Sequence, residues 1–147
     1  MNKLKRLMKK ELQVEMLACV HAFVMIFAYL LGKLVLGEDG IYFWQTAEMG
    51  ILAYVSAWIQ ELVFGHIKVY SAFEYWLRVF LWCVVPSLLT LATGTVFGWM
   101  DGLHWGMSVY FYGLIFSYYV LFFFCEQHFL REDSEELNQL LKDYKKR

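Results

Sequence analysis

Gln45 and Glu48 stand three residues apart inside an apolar stretch, and a helix there puts both on one face. An ionised carboxylate about two turns into a membrane segment is expensive, so Glu48 is expected to be protonated, hydrated or paired. Two roles are open to it: a hydrogen-bonding residue that ties helices together, or a ligand or proton site. Gln60 and Glu61 lie near the other end of the same stretch, where a long side chain reaches the interface at little cost. Arg78 enters the following stretch within two turns of its start. It can pair with Glu74, one helical turn back, or with Glu61 across a short loop. His21, near the start of the first stretch, reads as a hydrogen-bonded packing residue ahead of a switch.

These groups do not add up to an enzyme. No nucleophile–base pair or phosphate loop is present, and His21, His66, His104 and His128 lack metal-ligand spacing. Cys19, Cys83 and Cys125 are an odd, scattered set that suits apolar thiols in a core rather than a zinc or redox motif. No metal and no cofactor is expected.

The elements that must position these residues are four apolar runs, at 16–36, 41–64, 73–98 and 103–125. At ~1.5 Å rise per residue each can cross a hydrocarbon core about 30 Å thick. A chain that is 60% hydrophobic and 20% aromatic belongs in lipid rather than water. The expected fold is all-α, a polytopic four-transmembrane-helix bundle over 16–125. An amphipathic cytoplasmic segment precedes it at 1–15, and a cytoplasmic tail helix follows at 126–147. The run at 16–36 is expected to be retained, because its charged preamble is long and no small-residue cleavage site follows it.

Charge sets the expected orientation. Lys3, Lys5, Arg6, Lys9, Lys10, Lys68, Arg78, Arg131, Lys142, Lys145, Lys146 and Arg147 fall on one side of such a bundle, and only Lys33 lies towards the other. The opposite turns carry Glu38, Asp39 and Asp101 instead. The positive-inside rule then puts both termini in the cytoplasm.

The ends carry patterned faces. Leu4, Leu7, Met8 and Leu12 recur at helical spacing with basic residues opposite, as an interfacial helix on anionic headgroups would. In the tail, Ser134 can cap a helix whose first turn is acidic and whose last turn is basic. Leu137, Leu140, Leu141 and Tyr144 fall on one face of it at i, i+3, i+4 and i+7. So short a helix is marginal alone, so that face expects a surface: the bilayer, the N-terminal helix, a second copy, or a cytoplasmic protein. Within the bundle, Pro86 predicts a kink. Thr90, Gly94 and Gly98, and then Gly113 and Ser117, recur every four residues as small-residue grooves for helix packing. Trp99, Trp105, Tyr110 and Tyr112 read as an interfacial aromatic belt.

The later half also resembles a known group. Pro86, Gly98-Trp99-Met100, Tyr110, Ile115-Phe116, Tyr119 and the run from Glu136 to Lys145 are similar to a bacterial four-helix membrane family commonly encoded beside LytTR-type transcription regulators. The resemblance covers about residues 70–147. The first half shares only the span count and the Gly40-Ile41-Tyr42 turn. Many relatives carry a histidine before the aromatic of the third span, where this chain has Arg78 before Val79 and Phe80, so no role of that histidine transfers. Some relatives are membrane-bound antagonists of the LytTR activator from their own operon. The resemblance therefore implies an inhibitor that holds a cytoplasmic LytTR-type DNA-binding regulator at the inner face of the bacterial plasma membrane. Leu137, Leu140, Leu141 and Tyr144, with Leu4, Leu7 and Leu12, are the candidate docking residues, and no direct nucleic acid contact is expected.

A small dimeric proton-coupled exporter of lipophilic cations, working through Glu48, is the alternative. It needs an intramembrane carboxylate and aromatics, which the chain has. Small four-helix exporters generally carry theirs in the first span, and Glu48 lies in the second.

Overall fold

The computed structural model describes the backbone of residues 2–38, 40–64 and 72–145, and the side chains of residues 8, 10–38, 40–64 and 73–125. Among the described residues are four helices and no strand: α1 (Asn2–Leu36), α2 (Phe43–Phe64), α3 (Ala72–Val96) and α4 (Trp105–Lys145).

Local chemistry sets the helix ends that meet the short turns. Gly37 adopts φ 71°, and the N–H groups of Gly37 and Glu38 bond back to the carbonyls of Leu34 and Lys33 at 3.1 and 3.0 Å. That Schellman closure needs a residue free to take the left-handed conformation. Gly98, at φ 63°, ends α3 the same way, with the Trp99 N–H donating to the Gly94 carbonyl at 2.9 Å. At the start of α2, Gln45 Oε1 accepts the Tyr42 N–H at 3.3 Å, half of a capping box. At the start of α4, His104 Nδ1 accepts the Gly106 N–H at 3.1 Å, the work of an N-cap.

The helices form an antiparallel ring in which α1 packs on α2 and α4, and α3 packs on α2 and α4. At one end, the terminal end, Lys10 pairs with Glu61 at 3.0 Å and Tyr75 and Phe64 lie against Phe123. At the other, the turn end, Tyr29 meets both Trp99 and Gln45. The core between them is largely aromatic, with Tyr29, Trp82, Trp99, Phe111 and Tyr119 almost wholly buried.

Three stretches are long and apolar enough to cross a membrane: Lys10–Leu36, Phe73–Val96 and Trp105–Cys125. Phe23, Phe80 and Leu121 each turn more than half of their surface outward from them. An apolar exterior on that scale is the surface of a membrane protein. α2 does not reach the same measure, because Gln45, Glu48, Ser56, Gln60 and Glu61 dilute its apolar run. Its polar residues have a side, however. Ser56 and Gln60 are buried in the bundle, while Ile51 and Leu62 face outward.

The terminal segments expected as separate helices are continuous with the bundle. α1 passes without a break from 2 to 36, and α4 from 105 to 145, so Ser134 lies inside a helix rather than at its N-cap. Neither junction carries a glycine or proline, and extending a formed helix is far easier than nucleating a new one. Pro86 does not interrupt α3 either. There the Ser87 hydroxyl donates to the Cys83 carbonyl at 2.7 Å and the Thr90 hydroxyl to the Pro86 carbonyl at 2.8 Å.

Candidate functional site

The polar side chains of the bundle gather in three layers along its axis. At the turn end the organising residue is Trp99, which is 1% exposed. Its Schellman position folds it back over the end of α3, where its indole N–H donates to Glu48 Oε2 at 2.7 Å. The Tyr29 hydroxyl donates to the Trp99 carbonyl at 2.6 Å and accepts from Gln45 Nε2 at 3.3 Å. Gln45 and Glu48 thus share a face, as their spacing requires, and that face ties α2 both to α1 and to the α3–α4 turn. Glu48 also lines a groove of about 310 Å³ with Ile51, Val55, Leu89 and Phe97, open between α2 and α3 on the apolar exterior.

Lys33 completes this layer. It is 7% exposed, and its ammonium donates to the Gly40 carbonyl at 3.0 Å and sits 5.9 and 5.7 Å from the ring centres of Tyr29 and Tyr42. Among the described residues no carboxylate pairs with it. Positive charge so far inside a bundle is expensive, and a carbonyl and two π faces compensate part of it, at about 0.5–2 kcal/mol per cation–π contact.

The middle layer centres on His21, which is wholly buried. Its Nε2–H donates to Gln60 Oε1 at 3.2 Å, and its Nδ1 accepts the Tyr118 hydroxyl at 2.7 Å, joining α1, α2 and α4. The Tyr119 hydroxyl donates to Ser56 Oγ at 3.2 Å across the bundle axis. Trp82 packs edge-on against Tyr119 at 5.3 Å, and its buried indole nitrogen has no partner among the described residues.

The terminal end holds the salt bridges found among the described residues. Glu61 pairs with Lys10 rather than with Arg78. Arg78 pairs with Glu74 at 2.9 Å, and its other terminal nitrogen donates to the Val63 carbonyl in the last turn of α2. The clamp therefore closes on a helix end as well as on a carboxylate, which suits the negative pole of the helix dipole. The Tyr54 hydroxyl donates to Glu11 at 2.8 Å and adds a second α1–α2 tie.

The small residues divide. Thr90 and Gly94 are buried, and a Cβ added to Gly94 would meet the Tyr112 hydroxyl. Gly98 serves the turn instead of a groove. Gly113 and Ser117 face outward, with the Ser117 hydroxyl on its own helix's Gly113 carbonyl at 2.8 Å. Of the expected docking residues Leu12 is exposed at 58%. Leu4, Leu7, Leu137, Leu140, Leu141 and Tyr144 lie on the described helices, but their side chains are outside the described residues.

Sequence reasoning missed Trp99 and Lys33. Trp99 is expected in an interfacial belt with Trp105 and Tyr110, both of which are exposed, and it is instead almost wholly enclosed at the turn end, beside Tyr29 and Phe111. The signal was its place directly after the helix-ending Gly98, where an apolar residue folds back onto the last turn.

No family model, curated protein or solved structure matches the chain.

Proposed function

We propose that this chain is a membrane-bound regulatory protein that binds a cytoplasmic LytTR-family transcription activator and holds it, inhibited, at the inner face of a bacterial plasma membrane. The observation that carries the reading is the unbroken course of α4 from the last membrane-suited residue, Cys125, to Lys145. At ~1.5 Å per residue that extension reaches about 30 Å beyond the span. Leu137, Leu140, Leu141 and Tyr144 share one face of it by register. A helix propagated from a packed span is ordered before its partner arrives, so binding carries less of the ordering penalty that an isolated tail helix would meet. Burying three or four such side chains supplies ~1.5–3 kcal/mol each before the remaining costs.

In this reading α2 crosses the membrane with the other three helices, with Ser56 and Gln60 turned inward and Ile51 and Leu62 to lipid. The terminal end is then cytoplasmic, because it carries nearly all of the basic residues. The start of α1, with Leu4, Leu7 and Leu12, emerges at the same end and supplies a second strip of the docking surface. The bilayer and a second copy of the chain are further partners. The exporter alternative has less behind it, because the Glu48 carboxyl is engaged by the Trp99 indole in a tie between helices.

The test is co-purification in mild detergent from the native host, with the full chain tagged. The wild type is expected to bring down a LytTR-type regulator in near-equal amount, and the double change Leu140→Asp, Leu141→Asp to lose it while raising transcription of its targets. Equal recovery from both forms refutes the tail as the docking surface.

A further inference from the structure

The turn end holds a polar pocket that none of these roles uses. It has a volume of about 290 Å³ and is lined by Tyr29, Lys33, Glu38, Tyr42, Gln45 and Asp101, among others. Two grooves of similar size, about 320 and 310 Å³, are lined mostly by apolar residues, and the largest, about 540 Å³ between α3 and α4, holds no cationic side chain but shares Asp101 with this pocket. This one brings together one buried ammonium, two exposed carboxylates and two phenol rings.

The charges in it do not satisfy one another. Lys33 pairs with no carboxylate among the described residues, although Glu38 and Asp101 line the same pocket. A cation this enclosed gains most from an anion, and its partners among the described residues are one carbonyl and two rings. Two carboxylates at the mouth repel a simple anion and attract an ammonium. The complement of such a site is a molecule with both ends.

We propose that the turn-end pocket binds a compact zwitterion, with its anionic group on Lys33 Nζ and its primary ammonium at Glu38 and Asp101. The volume lies at the small end of ligand pockets, which suits a free amino acid or a single headgroup. The turn end lies where a bundle of this kind meets the membrane interface, so the same chemistry is available from two sources. One is a dissolved α-amino acid. The other is the phosphoethanolamine headgroup of a lipid. Tyr29 and Gln45 connect the pocket to Trp99, so occupation bears directly on the layer that joins α1, α2 and the α3–α4 turn.

The experiment uses the full-length protein in phosphatidylglycerol nanodiscs, with thermal midpoint and isothermal titration as readouts. The twenty standard L-amino acids are added singly in one arm, and phosphatidylethanolamine replaces half of the lipid in the other. One arm at least is expected to raise the midpoint. For an amino acid that does so, the analogues lacking only the ammonium or only the carboxylate are expected to bind at least tenfold more weakly. Asp101→Asn, on an exposed turn, and Lys33→Met are each expected to weaken the effect at least tenfold. If Lys33→Met fails to fold, Asp101→Asn together with Glu38→Gln decides. Stabilisation by amino acids alone assigns the site to a dissolved solute, and by phosphatidylethanolamine alone to a headgroup. Silence in both arms, or an effect that survives the carboxylate substitutions, overturns the proposal.

Discussion

Removing the Trp99–Glu48 hydrogen bond tests whether the one carboxyl deep in α2 is there to hold the turn end together. The bond is short, at 2.7 Å, and its donor belongs to a side chain that is 1% exposed. Glu48→Leu keeps bulk but leaves the indole N–H buried without an acceptor, at a cost of about 1–3 kcal/mol. Trp99→Phe removes the donor and leaves a gap beside Phe111, for a loss of similar size, about 1–3 kcal/mol. Glu48→Gln retains an acceptor oxygen and is expected to stay within ~0.5 kcal/mol of wild type. In the double-mutant cycle the combined loss should fall short of the sum by about 1–1.7 kcal/mol. Interhelical hydrogen bonds in membranes average about 0.6 kcal/mol, and a short bond from a buried donor belongs near the top of their range. Reversible unfolding in mixed SDS micelles, followed by far-ultraviolet circular dichroism, measures all four forms. Additive single losses, or a Glu48→Gln protein as unstable as Glu48→Leu, would refute the structural role and return Glu48 to proton or cation chemistry.

Other substitutions probe the remaining layers by the same unfolding assay. His21→Leu strands the Tyr118 hydroxyl, removes one bond from the Gln60 amide and is expected to lower stability by about 1–3 kcal/mol; a neutral result would mean that the Tyr118 hydroxyl finds another partner at no cost. Arg78→Met should cost more than Glu74→Gln, because Arg78 also serves the Val63 carbonyl, whereas the half-exposed Arg78–Glu74 pair is worth about 0–1 kcal/mol. Equal losses from the two would remove the helix-end clamp from the account. Gly94→Ala puts a methyl against the Tyr112 hydroxyl and the Trp99 ring and should cost about 1–3 kcal/mol, whereas Gly113→Ala, on the open exterior, should be neutral or slightly stabilising.

Much of the helical organisation was legible because membrane segments announce themselves by length and apolarity, and because Gly37 and Gly98 mark ends that left-handed glycines favour. α2 was less legible. Hydropathy sums a helix over all its faces, and in α2 Ser56 and Gln60 lie on the inner one, so the sum understates what the outer face presents. The terminal helices were divided from the spans because composition changes at residues 15 and 125. A change of solvent does not stop a helix, and only a cap, a glycine or a proline would have done so. Lys33 was counted for its charge alone, since no spacing rule connects it to Tyr42 across a turn. Spacing leaves Arg78 two partners, Glu74 one helical turn back or Glu61 across the loop, and the choice of Glu74, like the bond to the Val63 carbonyl, depends on how α3 docks against α2.

The central claim is that the extension of α4 is a docking surface for a LytTR-type regulator. Site-specific photocrosslinking tests it most directly, with p-benzoylphenylalanine in place of Leu141 in the full chain in native cells, and at the outward-facing Gly113 as a control. The account predicts an adduct between position 141 and the regulator, identified by mass spectrometry and missing from position 113. Crosslinks from position 141 to lipid or to a second copy of the chain, with the regulator expressed and never captured, would contradict it.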